Sequence, residues 1–461
     1  MRKKPLAKLG ALVLAATLLT SAVGCASDDE SAQSGAAKKD PTDIKVWIRA
    51  SGPDEGITAI IDKFNKEQDE VKVSYEYYGE NYASVVQMAI AAGNPPDIME
   101  ASGGITVNSL AKQGNIIPLG NAVTDELKAK LHPDTLKPEE FYYKDELYSV
   151  PVRISAYRLL YNKDLFQAAG LDPEKPPATL EEMREAARKI TEAGKGEYYG
   201  FGLPLGVAQI WERIIDPINI AMGVGDRYGF NSSTGKYEFE SNKRLFNYYL
   251  DLKKDGSLFP GYQTLGIDPL RANFAQGKIG MYIDGNWMMG SYATQMSAKA
   301  NWDAAPIPVF ADGESGKYWA EGGVNWVITN SKNSEAAKKF YTAWLGNQEL
   351  ANQFMPVPRT DLTANNPDNL PTSKYNLQGL KYSMETSDLQ IPVFEPHKFI
   401  SLEGDDRNKV LTNLFAVADT QKDFSTSVDN ALADLNKRYT AALEKAVQNG
   451  SISPESIKPA Q

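Results

Sequence analysis

The hydrophobic positions that follow residue 42 switch between two periods. Apolar residues recur at every second position over 44–48 and again over 71–77, which predicts two strands. Between and after them, residues 57–64 and 85–90 carry apolar side chains at helical spacing. The stretch GNPPDIMEASGG (93–104) then predicts a short buried strand that ends in a loop. Strand, helix, strand, helix, strand is typical of an α/β domain with a largely parallel sheet.

Polar side chains follow two of these predicted strands. Arg49 and Asp54 come after the first strand, and Glu100 and Ser102 come at the end of the third. In open parallel sheets, ligands bind beyond the carboxyl ends of the strands. We therefore expect these four residues at the rim of a binding site.

Later segments continue the mixed pattern. Thr179 and Glu182 form a capping-box sequence before a helical repeat, and IGMYIDG (279–285) is suited to a buried strand. Ser334 is a candidate cap for an amphipathic helix, and a last amphipathic helix is expected to end before Gly450.

The N-terminus has the layout of a secretory leader. Four basic residues, Arg2, Lys3, Lys4 and Lys8, accompany the apolar run LGALVLAATLLTSAVG, which ends at the single cysteine, Cys25. A lone cysteine is often a small buried hydrophobe. Here AVGC resembles the lipobox of bacterial lipoproteins, with Ala22 where leucine is commoner. This resemblance implies a lipoprotein signal peptide at 1–24 and acylation of Cys25. Residues 25–41 are too polar to pack and predict a disordered tether.

Charge and composition exclude several functions. The formal net charge is −10, and removal of the leader takes away basic residues only, so nucleic acid and anionic lipid are poor partners. Two histidines, His132 and His397, together with an acylated cysteine argue against a metal site, and we expect no cofactor. No second apolar run is long enough to span a membrane, so the lipid is the expected membrane attachment.

Five ordered segments carry a resemblance to a known family. They are AAGNPPDIMEA (91–101), the segment from YSVPV to ARKI (148–190), NFAQGKIGMYIDGNW (273–287), WDAAPIPVF (302–310) and the segment from YWAEGG to TAWL (318–345). Together they resemble the extracellular solute-binding proteins of ATP-binding-cassette importers, in the maltose-binding-protein-like carbohydrate class.

The resemblance implies a two-lobed, periplasmic-binding-protein-like α/β fold of type II, with discontinuous lobes joined by hinge strands. The N-terminal lobe is expected at 42–151 and 302–345, and the C-terminal lobe at 152–301 and 346–461. It also implies a monomer on the outer face of the cytoplasmic membrane, which closes on its ligand and is then recognised by permease subunits.

A sugar site needs aromatic platforms and planar polar groups. The resemblance points to Trp287 as a stacking aromatic, beside Asp284 and Asn286, which could instead stabilise the turn. Arg153 could pair with an anionic sugar or form a structural salt bridge. Tyr157, which follows it, is a candidate ligand contact in the same way. Further candidates are Trp211, for which core packing is the alternative, and the loop residues Glu321, Gly322, Gly323 and Asn325, where glycines would allow close approach of a ligand.

Three functions remain open at this point. The first is a lipid-anchored receptor for an oligosaccharide or related sugar, without catalysis. The second is a receptor for another solute, such as a peptide or a polyol phosphate. The third is a surface glycoside hydrolase, which would need two carboxyl groups that flank the scissile bond. The five family segments favour binding.

Overall fold

The computed structural model describes residues 40–50, 52–131, 135–136, 139–294, 296, 298–313, 315–353, 389–390, 394–421 and 423–459. The predicted signal peptide, Cys25 and all but the last two residues of the predicted tether lie outside the described residues. Residues 41–461 belong to one compact unit.

Strands and helices alternate along most of this unit. The strands of the described residues are, in chain order, β1 (Thr42–Arg49), β2 (Val71–Tyr78), β3 (Ile98–Glu100), β4 (Ile116–Ile117), β5 (Tyr142–Tyr143), β6 (Glu146–Leu147), β7 (Arg153–Asn162), β8 (Tyr199–Phe201), β9 (Phe230–Asn231), β10 (Lys236–Tyr237), β11 (Ile279–Gly285), β12 (Trp302–Ala305), β13 (Tyr318–Gly323), β14 (Trp326–Thr329) and β15 (Leu389–Gln390). The α-helices are α1 (Glu55–Glu67), α2 (Tyr82–Ala91), α3 (Val107–Lys112), α4 (Asp125–Lys130), α5 (Lys163–Ala168), α6 (Leu180–Gly194), α7 (Ile210–Ile214), α8 (Asp216–Ala221), α9 (Asn242–Lys254), α10 (Ile267–Ala275), α11 (Met288–Thr294), α12 (Ser334–Gly346), α13 (Gln348–Asn352), α14 (Arg407–Val417) and α15 (Phe424–Gln448).

Two sheets organise the fold. The first has the order β2-β1-β3-β14-β4, with β1 parallel to both β2 and β3, and β14 antiparallel to its two neighbours. The second has the order β15-β13-β7-β11-β8, and β12 also pairs with β7. Each sheet has its own hydrophobic cores. We call the parts built on the first and the second sheet the first and the second lobe.

Local sequence signals explain the elements that begin the chain. In α1 the apolar positions Ile57, Ile60 and Ile61 are buried, and Asp54 caps the helix by accepting a hydrogen bond from the Ile57 N–H at 2.8 Å. The predicted capping box of Thr179 and Glu182 at the start of α6 is confirmed. The predicted cap at Ser334 is wrong, because the helix includes Ser334 and the capping position is Asn333.

Two chain segments run side by side between the lobes. Residues 149–152 lead from the first lobe into β7, and residues 323–326 lead from β13 back into β14. The Val152 N–H donates to the Gly323 carbonyl at 3.2 Å, and the Ser149 hydroxyl donates to the Trp326 carbonyl at 3.0 Å. These paired crossings have the geometry of hinge strands.

Strand pairing assigns some segments differently from the predicted lobe boundaries. β12 and β13 both pair with β7, so residues 302–305 and 318–323 belong to the second sheet, and the return to the first lobe comes near residue 324. Helix α13 packs against α1, where a Cβ on Gly56 would lie 2.8 Å from the Ala351 carbonyl oxygen, so it belongs with the first lobe. The rest of the lobe division stays a prediction.

Candidate ligand-binding cleft

A cavity of about 620 Å³ lies between the two lobes. The first lobe lines it with the loops after β1 and β3, and the second lobe with the start of β7, with α7 and α10 and with the turn after β11. Residues 322–325 of the second crossing also line it. Cavities of this size and position are the usual site of small-molecule binding between domains.

The wall of the first lobe is polar. Arg49 and Glu100 end the parallel strands β1 and β3, and the Arg49 N–H donates to Glu100 Oε2 at 3.2 Å. Tyr82 holds the end of β3, because its hydroxyl donates to the Glu100 carbonyl and accepts from the Glu100 N–H, each at 2.8 Å. Burial raises the pKa of the Glu100 carboxyl above its usual range. The predicted rim is therefore present, with a carboxyl group that resists ionisation.

The wall of the second lobe carries aromatic side chains. Trp287 follows β11 and is half-buried, with its ring edge-on to that of Tyr157 at a centroid distance of 6.0 Å. Tyr157 in turn stacks on Trp319, also at 6.0 Å, with the ring planes 17° apart. Trp287 and Tyr157 line the cleft, and Trp319 lies beneath them in the core. This arrangement supplies a backed aromatic surface suited to the apolar face of a sugar ring.

Hydrogen bonds fix the turn that presents Trp287. The Asn286 N–H donates to the Ala156 carbonyl at 2.9 Å, and its side-chain amide donates to the Ile154 carbonyl at 3.0 Å. A Cβ on Gly285 would lie 2.1 Å from the Trp287 ring, so the indole occupies space that only glycine leaves open. The turn thus holds the indole against β7.

Buried polar atoms of several cleft-lining residues make no hydrogen bond within the described part of the chain. They include Arg213 Nη1, Asn325 Oδ1 and His397 Nδ1. Buried polar atoms in folded proteins are nearly always paired, and leaving one unpaired costs about 1–3 kcal/mol. Where such atoms belong to residues that line a cavity, a ligand can complete their hydrogen bonds.

Comparison with known proteins agrees with this geometry. The sequence pattern of the family described as bacterial extracellular solute-binding protein matches residues 50–351, which is more than half of the chain. The protein belongs to the bacterial extracellular solute-binding proteins.

Individual relatives show the same similarity. An uncharacterised extracellular-binding protein of an ABC transporter from Pyrococcus horikoshii is 25% identical over 91% of this chain and 95% of its own length. An sn-glycerol-3-phosphate-binding periplasmic protein of Brucella abortus is 27% identical over 64% of this chain and 68% of its own. A crystal structure of a solute-binding protein from Thermotoga lettingae, bound with α-D-tagatose, has a TM-score of 0.68 at 22% identity and covers 86% of this chain and 99% of its own, which shows the shared fold. Within the described residues, no helix has the length and apolarity needed to cross a membrane.

The cleft of this solute-binding protein brings together most of the predicted site residues. Those that line it are Arg49, Asp54, Glu100, Ser102, Arg153, Tyr157, Asn286, Trp287, Gly322, Gly323 and Asn325. Their contact with a ligand stays a prediction. Two of them also have structural roles, since Asp54 caps α1 and the Asn286 amide binds β7.

Two predicted residues lie in the interior instead of on the cleft wall. Trp211 is fully buried among aromatic rings of the second lobe, and its indole N–H donates to Thr412 Oγ1 at 2.9 Å. Asp284 is also fully buried and accepts from Arg271 Nε at 2.8 Å and Nη2 at 3.1 Å. The first is a core residue and the second neutralises an arginine, so neither faces a ligand.

The two glycines at 322 and 323 make room for neighbouring protein atoms, not for a ligand. The glycines were expected to admit a ligand, but a Cβ on Gly322 would lie 2.5 Å from Pro151, and one on Gly323 would lie 2.3 Å from Ser155 Oγ. They leave room for the neighbouring crossing and for β7. Of Glu321 the structure describes the backbone, which pairs with Ser155.

Several cleft residues were not predicted from the sequence, including Arg213, Arg271, His397 and Lys398. For Arg213 a signal was present. It lies two positions after Trp211 on α7, and residues two apart on a helix point to different sides. Because the bulky indole faces the core, the charged residue is the one placed toward the cleft. His397 and Lys398 follow no motif that would have indicated them.

Proposed function

We propose that the protein is the binding component of an ATP-binding-cassette importer, and that it captures an extracellular oligosaccharide or related sugar and delivers it to a membrane permease. The observation that carries this proposal is the backed aromatic surface of Trp287 and Tyr157, which faces a polar wall from the other lobe across a cavity of about 620 Å³. Sugar rings offer an apolar face and a hydroxyl-rich edge, and this cleft matches both.

Binding would draw the lobes together around the sugar. The paired crossings at 149–152 and 323–326 allow hinge closure, a common response of two-lobed proteins to ligand. The permease is expected to recognise the closed form. The tagatose-bound neighbour with the same fold supports a sugar as the ligand class.

Thermal unfolding against a panel of neutral and acidic mono- and oligosaccharides tests the proposal. A sugar that binds only the folded protein stabilises it by about 2.7 kcal/mol at a hundredfold excess over its Kd, and the unfolding midpoint rises. A rise with one sugar class supports the receptor function. A rise only with peptides or with polyol phosphates would overturn the sugar as ligand and leave the receptor class intact.

Absence of catalysis is part of the proposal. Incubation with the sugar that binds, followed by assay for new reducing ends, separates a receptor from a glycoside hydrolase. Hydrolysis that scales with protein concentration would favour the hydrolase.

The proposal includes a lipid anchor on Cys25, a monomeric receptor and a location on the outer face of the cytoplasmic membrane. Two or more acyl chains give stable anchoring, which one chain does not. Metabolic labelling with radioactive palmitate should mark the protein, and Cys25→Ser should abolish the label. Labelling that persists in the variant would contradict the anchor.

A further inference from the structure

Arg213 is a buried cation on the cleft wall of the second lobe. It lies on α7, lines the cavity and is only 9% exposed. Its guanidinium makes no hydrogen bond to any described residue, and its Nη1 atom is fully buried. Burying a charged group in this way is costly unless a partner compensates for it.

The carboxylate nearest to Arg213 is already in use. Asp284 Oδ1 lies 3.9 Å from Arg213 Nη1, which is too long for a hydrogen bond. That same oxygen accepts from Arg271 Nη2 at 3.1 Å and from the Gly285 N–H at 2.8 Å. Burial disfavours the charged form of Arg271, but the attraction of Asp284 outweighs it and raises the pKa of Arg271. Asp284 therefore accepts its hydrogen bonds from Arg271 and Gly285, and Arg213 interacts with it through charge alone, without a hydrogen bond.

Other buried cations of the cleft contrast with Arg213. Arg271 has Asp284 at 2.8 Å, Arg227 has Glu212 at 2.8 Å, and Lys398 pairs with both Glu140 and Glu395. Each of these side chains has a carboxylate partner at hydrogen-bonding distance, whereas Arg213 has none among the described residues.

The position of Arg213 beside the aromatic surface decides what it can bind. Its guanidinium lies 5.9 Å from the Tyr157 ring centroid, and Tyr157 borders Trp287. A sugar ring that lies on Trp287 would bring an edge substituent toward Arg213. Arginine pairs best with planar or tetrahedral anions that accept two hydrogen bonds, such as carboxylate and phosphate.

We propose that the ligand carries an anionic group, the carboxylate of a uronic acid or a phosphate ester, and that Arg213 is the residue that binds it. This inference rests on the proposed binding function of the cleft and specifies its substrate class. Arg49, exposed on the facing wall, adds a second positive charge that attracts such a ligand.

Calorimetric titration with matched ligand pairs tests the inference. The probes are glucuronate against glucose, digalacturonate against galactobiose, and glucose 6-phosphate and glycerol 3-phosphate as the phosphate arm. We expect an acidic ligand to bind at least tenfold more tightly than its neutral partner. Arg213→Gln should weaken binding of that ligand by about tenfold to a hundredfold, the range for a hydrogen bond to a charged group, and Arg213→Lys should weaken it less.

A matched control distinguishes the effect of removing the Arg213 charge from the cleft from the effect of lowering the net charge of the protein. Arg188→Gln makes the same charge change on the exposed face of α6, where Arg188 pairs with Glu185 and Glu192, and should leave affinity unchanged. Unfolding midpoints of all variants, measured without ligand, control for folding.

The outcomes distinguish this inference from the broader proposal. Neutral sugars that bind as tightly as acidic ones, or an equal loss for both in Arg213→Gln, overturn the anionic ligand while the sugar receptor stands. Binding of glycerol 3-phosphate alone, with loss in Arg213→Gln, supports the anion site and overturns the sugar. Binding of any ligand that is insensitive to Arg213→Gln overturns the inference, and absence of binding across the panel overturns both.

Discussion

Lys398 of the second lobe forms an ion pair with Glu140 of the first lobe, across the cleft. Both side chains are largely buried, with exposed fractions of 14% and 21%, and Lys398 also pairs with Glu395 on its own lobe. Opening of the lobes would separate Lys398 from Glu140 but not from Glu395. The pair therefore stabilises the closed arrangement without being needed for the fold of either lobe.

Glu140→Gln should weaken ligand binding by a few-fold, on the order of 1 kcal/mol, because Lys398 keeps Glu395 as a partner when Glu140 is neutralised. Affinity by calorimetry and the radius of gyration by solution scattering would report the shift toward an open form. Lys458→Met removes an exposed pair with Glu455 and serves as the control. Unchanged affinity in Glu140→Gln would show that the pair does not bias closure.

Two tryptophans should respond to truncation in opposite ways. Trp287→Ala should reduce sugar affinity by about 30-fold, or roughly 2 kcal/mol, with a small change in stability, because the ring is half-buried at the cleft. Trp211→Ala should lower the free energy of unfolding by about 3–5 kcal/mol, because it empties a packed core. Urea unfolding and calorimetry on both variants check this. A larger affinity loss in the folded fraction of Trp211→Ala would reverse the assignment.

A buried ion pair below the cleft should be important for stability. Arg407 and Asp216 are both fully buried and form two hydrogen bonds, and the Arg407 guanidinium also lies 4.4 Å from the Tyr228 ring centroid. Arg407→Met leaves a buried carboxylate without its partner and should cost about 3–5 kcal/mol of unfolding free energy. The double variant with Asp216→Leu should recover part of this loss in urea unfolding. A double variant as unstable as the sum of both single changes would contradict the pairing.

Stability should fall on mild acidification because of His397. Burial lowers the pKa of this imidazole well below its usual value of 6.5, so the folded protein holds it neutral. As pH falls below about 6.5, His397 becomes protonated in the unfolded chain but stays neutral in the folded protein. Proton binding then favours the unfolded chain, and the free energy of unfolding falls.

His397→Phe isolates the effect, because a phenyl ring can keep the stack on Tyr228, at a centroid distance of 4.2 Å in the protein. Its unfolding free energy should vary less with pH between 7.5 and 5.5 than that of the unchanged protein. Parallel curves for the two proteins would mean that His397 titrates normally in the fold.

The sequence predicted elements where short-range periodicity decides the structure. The strand-helix-strand-helix-strand order over 42–100, the Thr179 capping box and the buried strand β11 are confirmed. Strand topology also placed Arg49 and Glu100 at the cleft, because parallel strands end at one edge.

Long-range pairing was harder to foresee. The assignment of residues 302–305 to the first lobe was wrong because β12 finds its partner in β7, far back in the chain. Whether Trp211 or Arg213 lines the cleft depends on which side of the short, mostly apolar helix α7 packs against the core. Which carboxylate neutralises which arginine is likewise a property of the assembled fold, as Arg271 and Asp284 show.

The insertion of β14 between β3 and β4 has a consequence for how the chain acquires its structure. The ribosome synthesises β3 (98–100) and β4 (116–117) long before β14 (326–329). Because β14 pairs with both, the first sheet is continuous only after β14 has been added. Contacts so distant in sequence slow folding, since a long loop must close before any of them form. A nascent chain would thus keep unpaired strand edges until most of it has been synthesised.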